Sequence, residues 1–215
     1  MSPRAQGNVP PAARLYLVAP ALEDPAVATA ALGAALAAAD VAAVLLRLAA
    51  ADERTLINRI KAVAPLVQER GAALLLDGHP ALVARAGADG AHLTGIDVVK
   101  EAIGGLKPDR IVGAGGLASR HDAMLAAESG ADYVMFGEPD PAGKRPSFAA
   151  IHDRVAWWTE VFEIPCVAYA ASLDEVEALG AAEFVALGPF VFSDPRGPAA
   201  AVADAAAHLT AEPSR

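Results

Sequence analysis

Asp77, His79, His92 and Asp97 are gathered in one stretch, LLLDGHPALVARAGADGAHLTGID, residues 74 to 97. Carboxylates of this kind can bridge a divalent ion such as magnesium (Mg2+) to phosphate oxygens, and imidazoles can carry protons. Cations suited to neutralising an anion stand elsewhere: Arg47 closes the apolar run VAAVLLRL, and Lys144 and Arg145 lie in GEPDPAGKRP. Gly113, Gly115, Gly137 and Gly188, with Ser172, sit in turns where backbone could approach a ligand closely. Together these residue types describe a site for a small, phosphorylated substrate.

Each residue also has a plainer reading. Asp97 closes the spacing Thr94-Gly-Ile-Asp97 of a helix cap, and Asp77 fits an Asp-Gly turn. Arg47 could be a buried ion-pair partner, His92 a satisfied core histidine, and Lys144 with Arg145 a solvated loop pair. His121, inside the cap pattern Ser119-Arg-His-Asp122, is assigned no chemistry. Cys166, in IPCVAYA, reads as a small buried hydrophobe, with no His or Asn beside it to activate a thiol.

The elements that must position these residues follow from the period of the chain. Apolar runs begin near Arg14, Val41, Ala72, Ala88, Arg110, Ala131, Ile164 and Ala182, eight candidate strands. Helical spacing lies between them, as at residues 52–70, 119–129 and 172–179. In RAGADGAHL, ESGADYVMF and ALGAAEFVAL a glycine stands where a helix would end on a left-handed residue, and a short strand follows. Such units suit parallel strands covered by helices, and eight of them predict a closed (β/α)8 TIM barrel. The rival, an open doubly wound sheet, lacks its dinucleotide fingerprint after the first strand. One barrel domain is expected over residues 14–210, behind a flexible tail at 1–13. All the candidate site residues then fall near the C-terminal strand ends, where this fold carries its chemistry. The loop at 137 to 146 is long enough for a mobile lid.

Bulk properties narrow the partners. The 215 residues carry 17 Lys and Arg against 26 Asp and Glu, and a net charge of -9 disfavours nucleic acid and anionic lipid. The span from Ala26 to Leu46 is apolar but cut by Asp40, so no membrane partner is expected. A single cysteine permits no intramolecular disulfide, and the N-terminal segment, with Pro3, Pro10 and Pro11, lacks a signal-peptide core. A cytoplasmic protein is expected.

The order of motifs resembles thiamine phosphate synthase and its relative, the TenI-type thiazole tautomerase. The resemblance runs from LYLVAP at residue 15 to the last strand, carried by GADGAHL, the glycine-rich turn Gly113-Ala-Gly-Gly116, and GADYVMFGEP. It implies a barrel, a homodimer, and coupling of a pyrimidine methyl pyrophosphate to a thiazole phosphate with release of pyrophosphate. Magnesium and basic groups would steady the departing pyrophosphate.

Position by position, the site departs from that pattern. The family's Gln-x-Arg-x-Lys reads Leu45-Leu46-Arg47-Leu48-Ala49, keeping the arginine, and its Asn-Asp-Arg reads Asp77-Gly78-His79. Asp97 matches the second metal carboxylate, while Gly95 replaces the Gln before it. Gly115 stands for a serine, Leu117 for a tautomerase histidine, and Ala142 and Lys144 for two threonines. Lys144 or Arg145 would replace the family's lysine. The family's Ile-Gly-Gly-Ile reads Tyr169-Ala170-Ala171-Ser172, where alanine Cβ atoms crowd a phosphate cradle and Ser172 with Glu175 predicts a helix cap. Asp77 is one residue from the lost carboxylate at Gly78, a shift that reverses side-chain direction within a strand.

Three readings follow. The first is a divergent synthase acting through Arg47, Asp77, Asp97 and Lys144. The second is a barrel that has lost coupling and binds a phosphorylated or heteroaromatic metabolite. The third is another small-molecule enzyme using His79 or His92 with Asp77 orienting it.

Overall fold

The computed structural model describes residues 12–210. Apart from Ala12 and Ala13, the expected tail lies outside them. The chain alternates β1 (Arg14–Val18), α1 (Pro25–Ala38), β2 (Val41–Leu46), α2 (Glu53–Gln68), β3 (Ala73–Asp77) and α3 (Val83–Ala86). It continues through β4 (Gly90–Thr94), α4 (Ile96–Leu106), β5 (Ile111–Gly115), α5 (Arg120–Glu128), β6 (Tyr133–Phe136) and α6 (Phe148–Val161). It closes with β7 (Cys166–Ala170), α7 (Leu173–Val176), β8 (Phe184–Leu187) and α8 (Pro198–Thr210). Every strand pairs in parallel with the next, and β8 returns to β1, so the sheet is a closed eight-stranded barrel. Strand alternation divides the core in two. Leu15 and Leu17, Val134 and Phe136, and Cys166 and Ala168 face the helices. Tyr16 and Val18, Tyr133 and Met135, and Val167 and Tyr169 pack inside the barrel.

Local chemistry explains the helix boundaries. Asp52 caps α2 by accepting from Thr55 N, and Ser119 and Asp122 form a reciprocal capping box on α5. Gly87 and Gly130 end helices with φ of 76° and 99°, in the left-handed region. Gly180 differs from expectation: it stays right-handed because its N–H closes a tight turn onto the Glu177 carbonyl. The expected Thr94–Asp97 cap is also absent, since Gly95 holds the N-cap position with no side-chain bond. Likewise Ser172 caps α7 without a side-chain bond, and Glu175 reaches back to Ala171 N instead.

The adjacent tryptophans divide between core and surface. Trp158 is fully buried and donates from Nε1 to the Ile164 carbonyl at 2.7 Å, while half-buried Trp157 lies beneath Arg120 at 4.6 Å. Cys166 is buried against the helices, and burial, reinforced by Glu183, pushes its thiol up and disfavours the thiolate. Among the described residues no helix is long and apolar enough to cross a membrane.

Candidate active site

The strands deliver their last inward residues to a cavity of about 870 Å³ at the C-terminal mouth of the barrel. Val18, Leu45, Met135 and Tyr169 give it an apolar wall. On β2 the inward alternation that carries Leu45 continues to Arg47. On β3 the parity of Leu75 carries Asp77 inward in the same way. The two meet as a half-buried pair, Arg47 Nε donating to Asp77 Oδ2 at 3.0 Å. Arg47 Nη1 and Nη2 have no hydrogen-bond partner among the described residues.

A second polar group sits deeper. His92 points inward from β4 and is 2% exposed. Its Nδ1 lies 3.0 Å from the Tyr133 hydroxyl, which is 2.9 Å from that of Tyr16. Its Nε2 lies 3.3 Å from Glu138 Oε2, close enough for charge attraction but not aligned as a hydrogen bond, so that nitrogen is otherwise unpartnered. Glu138 Oε1 accepts from Gly116 N. Burial works against charge on His92, but the Glu138 carboxylate outweighs it, with Asp77 adding and Arg47 opposing, and the imidazole is held above its ordinary value. Burial pushes the Tyr16 and Tyr133 phenols up as well, so both remain neutral.

The glycines of the rim serve this arrangement. A Cβ on Gly115 would lie 2.1 Å from Glu138 Oε1 and 2.3 Å from His92 Nε2, and one on Gly113 would lie 2.0 Å from the Tyr133 ring. At Gly188 it would lie 2.6 Å from the Tyr169 hydroxyl. These three therefore make room for protein side chains. Gly137 turns the chain out of β6 with φ of 94° and borders the cavity.

Of the candidates read from sequence, Arg47, Asp77, His92, Gly137, Lys144 and Arg145 border the mouth, whereas His79, Asp97 and Ser172 do not. His79 is exposed and left-handed, at φ of 52°, beyond the strand end. Asp97 is exposed on the first turn of α4. Arg145 is occupied by the protein: it donates to the carbonyls of Gly137 and Tyr169 and to both Glu175 oxygens. Lys144 is exposed at the rim. Asp77 orients Arg47 and not a histidine, so the Asp–His pairing of the third reading is not formed. Sequence reasoning passed over Glu138, although it follows directly on the glycine that ends β6, and over Arg154, which donates to the Leu117 carbonyl at 2.9 Å.

The two carboxylates that the resemblance assigns to magnesium do not come together in this mouth. Asp77 is held by Arg47, Asp97 lies outside the cavity lining, and no group of three or more His, Cys, Asp or Glu among the described residues could hold a metal by protein ligands alone.

The sequence profile described as Thiamine monophosphate synthase matches residues 15–188, the span that builds this mouth. The chain belongs to that family. It is 43% identical over 196 residues to the thiamine-phosphate synthase of Rhodospirillum centenum, covering 89% of this chain and 95% of the relative. It is 36% identical over 202 residues to that of Hyphomonas neptunium, covering 89% and 91%. Among solved structures, the thiamine phosphate pyrophosphorylase from Pyrococcus furiosus superposes with a TM-score of 0.76 at 21% identity, covering 91% of this chain and 95% of that one. That likeness establishes the shared barrel. In this member of the thiamine monophosphate synthase family, Glu138 occupies the space that a side chain at Gly115 would take.

Proposed function

We propose that the mouth carries out the family reaction in a divergent form, coupling a pyrimidine methyl pyrophosphate to a thiazole phosphate with release of pyrophosphate. The observation that carries this reading is the Arg47–Asp77 pair. Asp77 fixes the guanidinium through Nε, which leaves the two Nη groups as donors for an anion in the cavity. Lys144 supplies a second cation at the rim. Beside the apolar wall of Val18, Leu45, Met135 and Tyr169, the half-buried Arg47 acts on a departing pyrophosphate with less screening than in water. The wall also holds the two rings together, so that capture of a carbocation-like pyrimidine by the thiazole nitrogen needs little further motion.

A phosphorylated small-molecule substrate, a cytoplasmic setting and a homodimer accompany this reading. The lone, buried Cys166 supports the second, and the third rests on the family resemblance. Purified protein given both substrates and magnesium should form thiamine phosphate, with kcat/KM lowered about 100-fold or more in Arg47→Ala. A folded wild-type protein that forms none overturns the reading.

One observation favours a second reading, a mouth that binds such a metabolite without coupling it: Asp77 and Asp97 do not converge on a metal. Calorimetric titration with pyrophosphate separates the two. Magnesium-dependent binding supports coupling, and binding of unphosphorylated heteroaromatic rings alone supports the second reading.

A further inference from the structure

Glu138 is the most unusual group in the cavity lining. Its side chain is only 13% exposed, and a carboxylate so far from water is costly unless it is paired and hydrogen-bonded. Both oxygens are anchored from the protein side, Oε1 by Gly116 N and Oε2 by the charge of His92. His92 is itself fixed from behind, through Nδ1, by Tyr133 and Tyr16. The whole arrangement depends on residue 115 having no side chain, since a Cβ there would overlap both the carboxylate and the imidazole.

An ionised carboxylate has about four acceptor positions, and these anchors leave some of them for the cavity. The neighbouring wall of Val18, Leu45, Met135 and Tyr169 suits a flat ring. A carboxylate accepts well from the amino edge of a nitrogen heterocycle, as it does from an exocyclic amine of a pyrimidine base, and it repels a carbonyl edge.

We infer that Glu138 is a specificity-determining residue: held over Gly115 between Gly116 N and His92, it accepts N–H donors from an amino-bearing nitrogen heterocycle bound against the apolar wall. This assignment rests on the mouth being the small-molecule site proposed above. Arg47 and Lys144 then take the anionic end of the same ligand, and Asp77 stays committed to Arg47.

The test uses full-length protein and two probes that differ in one edge, 4-aminopyrimidine and 1-methylpyrimidin-4-one, whose carbonyl edge carries no ring N–H, titrated calorimetrically beside pyrophosphate. The wild type should prefer the amino probe by about tenfold or more, since a site built around a buried acceptor rejects the mismatched edge. Glu138→Gln, which keeps the shape and can present either amide end, should lose that preference. Gly115→Ala, which displaces the carboxylate sterically, should lose it too. Circular dichroism checks that both variants are folded, and Glu138→Gln decides alone if Gly115→Ala is not. A wild type that binds pyrophosphate but treats the two rings alike overturns the assignment and leaves the site intact. A Glu138→Gln protein that keeps the amino preference also overturns it. A wild type that binds no probe at all removes the site reading with it.

Discussion

Arg145 Nη1 lies 3.0 and 2.9 Å from the two carboxylate oxygens of Glu175, and this contact fastens the loop after β6 to α7. Both side chains are about one-fifth exposed, and the same guanidinium also satisfies the carbonyls of Gly137 and Tyr169. The long loop is thus tied down at its C-terminal end, while Lys144, one residue earlier, stays exposed.

Arg145→Ala would leave Glu175 with Ala171 N alone and take the guanidinium from two carbonyls. A loss of about 2 to 3 kcal/mol in urea unfolding is expected, since removing one partner of a half-desolvated pair leaves the other without compensation. Arg145→Lys should recover little of it, because an ammonium cannot reproduce the four-way fork. If Arg145→Lys is as stable as wild type, the planar geometry is unimportant.

At the mouth, Asp77→Asn should retain a weak hydrogen bond to Arg47 while losing the charge that fixes it. A fall of about tenfold in pyrophosphate affinity is expected, smaller than the fall in Arg47→Ala, which removes the donor itself. Titration of both variants checks the order. Equal affinity in Asp77→Asn and wild type would mean that Arg47 needs no orienting partner.

How much of this was legible beforehand follows from the range over which each feature is encoded. The barrel was, because every strand writes its own apolar run and every helix its own spacing, as at Val41–Leu46 and Glu53–Gln68. The inward direction of Arg47 and Asp77 follows from counting by twos. Glu138 was not legible, because its meaning depends on the glycine at 115 and the histidine at 92, on two other strands. Register pairs His92 with Gly113 and Gly113 with Tyr133, and only that lateral alignment shows why glycines were needed. The Thr94–Asp97 pattern misled for a local reason, since Gly95, at φ of 92°, turns the chain at the helix entrance.

The His92–Glu138 contact makes stability depend on pH with a definite sign. His92 is held above its ordinary value in the fold, so the native state binds that proton more tightly than the unfolded chain. Its contribution is whole below the ordinary histidine range, about 6.5, and is lost as pH rises through the raised folded value. The wild-type Tm should therefore fall, relative to that of His92→Gln, as pH climbs from about 6 into the alkaline range. A pH-independent difference between the two would show that Glu138 does not hold charge on the imidazole.

Gly113 and Tyr133 provide the sharpest test of packing inside the barrel. They are register partners on β5 and β6, and the space that a Cβ on Gly113 would fill belongs to the Tyr133 ring, 2.0 Å away. Neither atom group can yield easily, since Tyr133 is buried and tied by its hydroxyl to both His92 and Tyr16. Gly113→Ala should accordingly cost about 2 to 4 kcal/mol, through overpacking and through the loss of those hydrogen bonds as the ring is displaced. Tyr133→Leu alone should cost a comparable amount, by leaving His92 Nδ1 and the Tyr16 hydroxyl without a partner. In the double variant the smaller side chain vacates the volume that alanine enters, so the two losses should fall short of additivity by about 1 kcal/mol or more. Denaturant unfolding of the four proteins measures that coupling, and strict additivity would mean that the ring is not what keeps residue 113 a glycine.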